Sequence, residues 1–291
     1  MPIFAKEFCL AQRYEGEKER VLDWSENFIT KYCLGIADGS NSGTYTAAVV
    51  AEVRNGLEVM GAGAHGAAPS LSGTTGMVLG SEYPWVECLA LNLGADAVWT
   101  FEYGVIRSTH PRLKALPYKA MAKGYAEGTL EQVDWIVSFS SLEHSGLGRY
   151  GDALNPEGDA EAMQQAWCML KPGGVMLLGA PMTCQDRGYI EFNAHRVYGF
   201  QRLAHVASGF EVLGWTSLSE DACKPAPPPI LDPATRSYPT QHIVLLRKPV
   251  RPGAVEATAK EFADAAQHFR ALAASMGGRL ASFASTAMPL M

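Results

Sequence analysis

Between residues 76 and 250 the chain alternates short, almost wholly apolar runs with segments of helical period, and few architectures accommodate that pattern. The runs are GMVLGS (76–81), AVWTFEY (97–103), VDWIVSFSSLEH (133–144), VMLLGAP (175–181), FEVLGW (210–215) and HIVLLRK (242–248), with a weaker one near Leu113–Leu116. A strand with one wet face would alternate apolar and polar residues, so these are read as strands covered on both sides. Between them, WVECLALNLGA (85–95) follows Pro84, a residue suited to a first helical turn. AEAMQQAWCMLKPGG (160–174) is a helix stopped by Lys-Pro-Gly-Gly. Strands and helices in alternation imply an α/β layer, a mostly parallel Rossmann-like sheet with helices on both faces.

Three regions flank or interrupt this unit. Residues 1–75 are expected to form an N-terminal helical and glycine-rich cap. In it Val21, Leu22, Phe28, Ile29 and Tyr32 make an incomplete helical stripe, and GAGAHGAAPSLSGTTG (61–76) reads as a loop able to close over a pocket. Residues 216–240 contain six prolines, too many for a helix or central strand, and form an insertion in the 76–250 domain. In 251–291, Val255, Ala259, Phe262, Ala266, Phe269 and Leu272 share one face of a C-terminal helix. That face packs on its own domain or makes a homo-oligomer contact.

Charge narrows the partners. Thirty acidic residues against 24 basic ones give a net charge of -6, and no basic run is interleaved with aromatics. A nucleic-acid partner is therefore not expected. No apolar stretch reaches the ~18 residues of a membrane span, and the charged start lacks a secretory core. Six scattered cysteines without a C-x-x-C pair are expected as reduced thiols in a cytoplasmic protein.

Ligands of open parallel sheets gather beyond the carboxyl ends of the strands, where strand order reverses. The residues there are Gly80, Ser81, Glu82 and Tyr83; Glu102 and Tyr103; then Ser138, Ser140, Ser141, Glu143 and His144. Glu102 ends its strand 22 positions after Gly80, where an acid accepts ribose hydroxyls, although an exposed strand-end acid is the plainer alternative. His144 is the first candidate base and His195, in CQDRGYIEFNAHRVYGF (184–200), the second. Glu143 would orient His144 or bind an acceptor. Each has a structural alternative: a helix cap for His144, a connector for His195, packing for Glu143. Asp152 and Asn155 are turn residues that could reach substrate; Glu82 and Glu87 face a cofactor or cap a helix. The first loop lacks G-x-G-x-x-G, the serines after the third run make no G-x-S-x-G, and no His/Asp/Glu spacing makes a metal set, so no metal is expected.

The succession VLGSEYPWVE, TFEY, VDWIVSFSSLEH, MLKPGGVMLLGAP resembles the class I S-adenosylmethionine-dependent methyltransferases. Its most specific pieces are D-x-x-x-S-x-S-x-x-E-H (134–144) and L-K-P-G-G (170–174). G-S-x-x-P-W-x-E (Gly80–Glu87) and F-N-A-H-R-x-Y-G (Phe192–Gly199) are similar to runs in a domain-of-unknown-function family first described from nematodes. The resemblance covers about residues 76–250. It implies a final antiparallel strand and S-adenosyl-L-methionine as cofactor. The contacts it implies are Gly80, Ser81, Glu82, Glu102, Tyr103, Ser138 and Ser140, with His144, His195 and Glu143 as catalytic candidates. The acceptor expected is a small molecule or sugar hydroxyl. One departure is the first loop, Gly80-Ser81-Glu82-Tyr83-Pro84, with a single glycine where such enzymes carry two or three. It keeps two alternatives open: a non-catalytic binding or scaffold protein, and a nucleotide-sugar-using enzyme.

Overall fold

A computed structural model describes residues 3–5, 21–61, 70–150, 152–183, 185–192, 194–215 and 241–250. The proline-rich 216–240 insertion, the C-terminal helix expected after 251 and most of the glycine-rich loop lie outside the described residues. The strands are β1 (Ile3–Ala5), β2 (Val21–Trp24), β3 (Thr75–Leu79), β4 (Ala97–Glu102), β5 (Val105–Ser108), β6 (Leu113–Pro117), β7 (Val133–Phe139), β8 (Leu170–Pro181), β9 (Tyr189–Phe192), β10 (His195–Val197), β11 (Glu211–Trp215) and β12 (Gln241–Arg247). The helices are α1 (Glu26–Asp38), α2 (Ala47–Gly61), α3 (Trp85–Asn92), α4 (Lys119–Ala126), α5 (Gly158–Met169) and α6 (Phe200–Val206). A 3-10 turn spans Leu142–His144.

Seven strands form the central sheet in the order β11-β12-β8-β7-β3-β4-β6. β6, β4, β3, β7 and β8 pair in parallel, and β12 runs antiparallel to both of its neighbours. This is a Rossmann-like sheet with a late antiparallel strand. Alternate residues of each strand feed two cores. Met77, Leu79, Ile136, Met176, Leu178, Val244 and Leu246 meet α5 and α6 through Met163, Ala166, Phe200 and Leu203. Val78, Trp135, Val137, Leu177, Ile243 and Leu245 meet α1, α2 and α3 through Ile29, Val53, Leu57 and Leu89. Burial on both faces is why these strands contain so few polar residues.

The amino-terminal region departs from the sequence reading in its first strand and in its cysteines. Val21 and Leu22 are not helical; they lie on β2, which pairs in parallel with β5. The helix starts later, at Glu26, where Ser25 Oγ accepts the Phe28 N–H at 3.2 Å. Cys33 and Cys88 are not free thiols: a disulfide joins α1 to α3, because packing those helices face to face brings the two residues together. Finally, the glycine-rich stretch has its described ends at the amino edge of the sheet, where Ser70 N donates to Gly61 O at 3.3 Å and leads into β3. Those anchors lie at the opposite edge from the strand ends that carry the site. A side layer of β1, β9 and β10 sits apart from the central sheet. No helix among the described residues is long and apolar enough to cross a membrane.

Candidate functional site

From β3 the chain builds outward to β4 and β6, then returns to the other side of β3 as β7, so strand order reverses between β3 and β7. The loops after these strands touch. Gly80 has φ 76°, and a β-carbon there would collide with the Ser141 side chain. Ser140 has φ 55°, the one positive value at a non-glycine position among the described residues. Its N–H donates to Gly179 O at 2.8 Å. A serine in this conformation costs ~1–3 kcal/mol, and such residues concentrate at functional sites.

On the β4 side, Glu102 is half-buried and faces the first loop. Its Oε2 accepts Ser81 N–H at 2.7 Å and its Oε1 accepts Tyr103 N–H at 2.9 Å. Burial raises its carboxyl pKa, against the pull of these backbone donors. Beneath it Glu87 is fully buried on α3. Thr100 Oγ1 lies 2.7 Å from its Oε1, and Ser81 Oγ 3.1 Å from its Oε2. Burial pushes the Glu87 carboxyl up to about 7. Glu82 is exposed on the rim. Tyr103, the residue after Glu102, enters the wall of a cavity of about 180 Å³ that is also lined by Tyr118, Ser145, Asp152, Asn155 and Glu161. Tyr103 and Tyr118 are stacked, with ring centroids 4.9 Å apart and planes inclined by 9°. Asp152 and Asn155 line the cavity and also hold turns, accepting Gly146 N–H at 2.6 Å and Glu157 N–H at 3.0 Å.

The β7 side brings Glu143, His144 and His195 together. Glu143 is 1% exposed and His144 8%. His144 Nδ1 lies 2.5 Å from Ala194 O, which only accepts, so Nδ1 carries the hydrogen and Nε2 the lone pair. Nε2 is 3.7 Å from Glu143 Oε1. Burial and the nearby Arg149 charge press the His144 pKa down to about 3, while burial raises Glu143 to about 7. The His195 ring centroid is 6.0 Å from that of His144, and His195 Nε2 is 3.5 Å from Glu191 Oε2. Ser140 Oγ accepts Gln241 Nε2–H at 2.6 Å. Ser138 is fully buried one residue before the end of β7, paired with Leu178 and with Leu79, the last residue of β3.

Two contributors escaped the sequence reading. Tyr45, in the turn before α2, hydrogen-bonds Ser140 and packs against Trp85 and Phe139 with centroids 5.1 and 5.0 Å away. No motif marks it. Arg196, seen only as one polar residue in a connector, is a fully buried clamp. It donates to Ser145 O at 2.5 Å, Glu143 O and Asn155 O at 3.3 Å, and Pro156 O at 3.2 Å. Asp159 Oδ2 is 3.5 Å from its Nε. Arg196 thus ties the catalytic candidates to the cavity wall. Among the described residues no group of three or more His, Cys, Asp or Glu side chains is placed to hold a metal ion.

Solved structures with similar folds are distant. A 1,6-didemethyltoxoflavin-N1-methyltransferase from Burkholderia thailandensis, crystallised with S-adenosylhomocysteine, is 13% identical with TM-score 0.47, over 76% of this chain and 87% of that one. The [4+2]-cyclase SpnF is 15% identical with TM-score 0.43, over 81% and 100%. An O-methyltransferase family protein from Burkholderia thailandensis is 11% identical with TM-score 0.41, over 69% and 57%. Likenesses this remote carry no weight for the activity. No curated protein matches the chain in sequence. The profile of one family, described as Caenorhabditis protein of unknown function, DUF268, matches residues 73–248. That match takes in every strand of the central sheet and both sides of the rim, and the chain belongs to this family.

Proposed function

We propose that the protein is an S-adenosylmethionine-dependent methyltransferase acting on a small-molecule or sugar hydroxyl. The observation that carries this reading is Glu102, a half-buried carboxylate at the end of β4 that faces the first loop, followed in the chain by Tyr103, which with Tyr118 walls a cavity. The Glu102 carboxylate receives the backbone N–H groups of Ser81, Tyr103 and Gly104 and, with about four lone-pair sites, keeps capacity for a ribose hydroxyl. Tyr103 and Tyr118 offer an aromatic face to a purine. At about 180 Å³ the cavity is below the ~300–1,000 Å³ of a whole small-molecule site, and suits one ring system. The donor set therefore fits a nucleoside, and the cofactor would supply an electrophilic methyl carbon. His144 Nε2 carries the lone pair and is the group placed to take an acceptor hydroxyl's proton. An ionised Glu143 3.7 Å away stabilises the resulting imidazolium.

Calorimetric titration with S-adenosylhomocysteine tests the reading. The protein binds, and Glu102→Ala weakens binding by about tenfold, some 1.4 kcal/mol. Absence of binding at millimolar ligand overturns it. The second reading, a non-catalytic protein on the same sheet, is favoured by one feature: Ser81 N–H is already taken by Glu102 rather than free for a ligand. Thermal stabilisation by a nucleotide sugar or NAD alone would identify a nucleotide-using enzyme instead.

A further inference from the structure

Three buried oxygens without a partner gather beyond the carboxyl end of β7. Two belong to Glu143, which is 1% exposed; among the described residues neither carboxyl oxygen lies within a hydrogen bond of a donor. The Ser140 hydroxyl and the N–H groups of Ser141 and of Glu143 itself face the carboxyl from outside that geometry. The third is Oε1 of Gln241, the first residue of β12, whose Nε2 donates to Ser140 Oγ at 2.6 Å. Beside them His144 points its Nε2 lone pair toward Glu143 Oε1, 3.7 Å away, and keeps 10% of its side chain exposed. Buried polar atoms are bonded as a rule, so such a gathering at a strand end calls for a ligand that completes the bonding.

The chemistry of that ligand follows from the groups it must meet. A hydroxyl both donates and accepts. It therefore serves Glu143 whether the carboxyl is ionised or protonated, and the open end of Gln241 in either orientation of the amide. An ammonium only donates, and a phosphate meets an ionised carboxyl with like charge. The 3.7 Å between His144 Nε2 and Glu143 Oε1 is a spacing that hydroxyls on adjacent carbons reach together and hydroxyls on opposite sides of a ring do not. We propose that Glu143 and Gln241 form the binding subsite of an uncharged polyol, in which the hydroxyl presented to His144 has a neighbouring hydroxyl held by Glu143. Which hydroxyl reacts rests on the methyltransferase reading; the affinity for adjacent hydroxyls does not.

The test presents the full chain with methyl-labelled S-adenosylmethionine and the methyl glycosides of glucose, galactose, mannose and rhamnose, each beside deoxy analogues lacking one hydroxyl. At least one glycoside is methylated, and removing the hydroxyl next to the methylated one lowers kcat/KM by about 10²-fold or more. Glu143→Leu, apolar and similar in volume, brings the glycoside and its deoxy analogue nearly level. A residue that only positions His144 would slow both alike and leave their ratio unchanged. Gln241→Leu raises KM for the glycoside. Equal kcat/KM for the two substrates of the wild type overturns the proposal, with no variant needed. So does an unchanged ratio in Glu143→Leu, or transfer confined to phosphorylated or monohydroxy acceptors. Absence of transfer to any glycoside, by protein that binds S-adenosylhomocysteine, overturns it too. Saturation-transfer NMR of the glycosides without cofactor keeps the two readings apart. If S-adenosylhomocysteine fails to bind while glycoside signals depend on adjacent hydroxyls and vanish in Glu143→Leu, the nucleoside reading falls and the polyol subsite stands. If neither ligand binds, both fall.

Discussion

His144 illustrates how a single tautomer sets a chemical role. Ala194 O takes the Nδ1 hydrogen, the lone pair is left on Nε2, and Glu143 sits behind it. Neither neighbour lines the cavity walled by Tyr103 and Tyr118, and His144 makes no hydrogen bond to Glu102. His144→Ala is expected to lower turnover by about 10²–10⁴-fold, the usual contribution of a positioned base, without changing S-adenosylhomocysteine affinity. The measurement is single-turnover methylation of the hydroxyl acceptor found by a labelled-methyl screen, alongside calorimetry. Full activity in the variant would remove His144 from the reaction.

At the scale of elements, the disulfide is the feature that most changes the picture of the amino-terminal region. Cys33 on α1 and Cys88 on α3 are 55 residues apart, and α3 follows directly on the first loop. Closing a loop of that length removes about 4 kcal/mol of unfolded-state entropy in the chain-entropy model. Cys33→Ser with Cys88→Ser is expected to lower stability by ~2–4 kcal/mol in urea denaturation. An equal loss is expected on reduction of the wild type, and no loss in either case would show that helix packing alone holds α1. Neither bond nor helix pair was legible beforehand, since a disulfide between distant positions is a product of tertiary packing. The central strands were legible because burial on both faces leaves an unbroken apolar run. α2 was not, because AAVVAEVRNGLEVMG mixes small residues whose helical period is faint. Val21 and Leu22 misled because a four-residue strand beside a helix mimics one more helical turn. Gly80, Glu102, Glu143 and His144 could be picked out as strand-end residues, whereas Tyr45 reaches the rim from a turn that no pattern distinguishes.

For the whole molecule, buried ionisable groups set the response to pH. The carboxyls of Glu87 and Glu143 are raised to about 7, and His144 is lowered to about 3. In the unfolded chain these groups titrate near ~4.3 and ~6.5. Between about pH 4.5 and about pH 6.5 the folded state therefore keeps two carboxyl protons that the unfolded state has lost. The unfolded state keeps one imidazole proton that the folded state refuses. The difference favours the folded state at low pH, so stability falls as pH rises. Glu102, also raised, acts in the same direction, while the lowered Asp38 and Glu157 act below this window. Urea denaturation at about pH 5 and about pH 6.5 measures it; greater stability at the higher pH would contradict the burial of the two acids.

The reversed direction of β12 has a consequence for how this protein can diversify. Because β11 ends and β12 begins at the carboxyl edge, Trp215 and Gln241 anchor residues 216–240 on the same rim as Gly80, Glu102 and Ser140. Insertions or deletions between those two anchors alter the surroundings of the reactive rim while every hydrogen-bonded ladder beneath keeps its register. Selectivity can drift there without a cost to the scaffold.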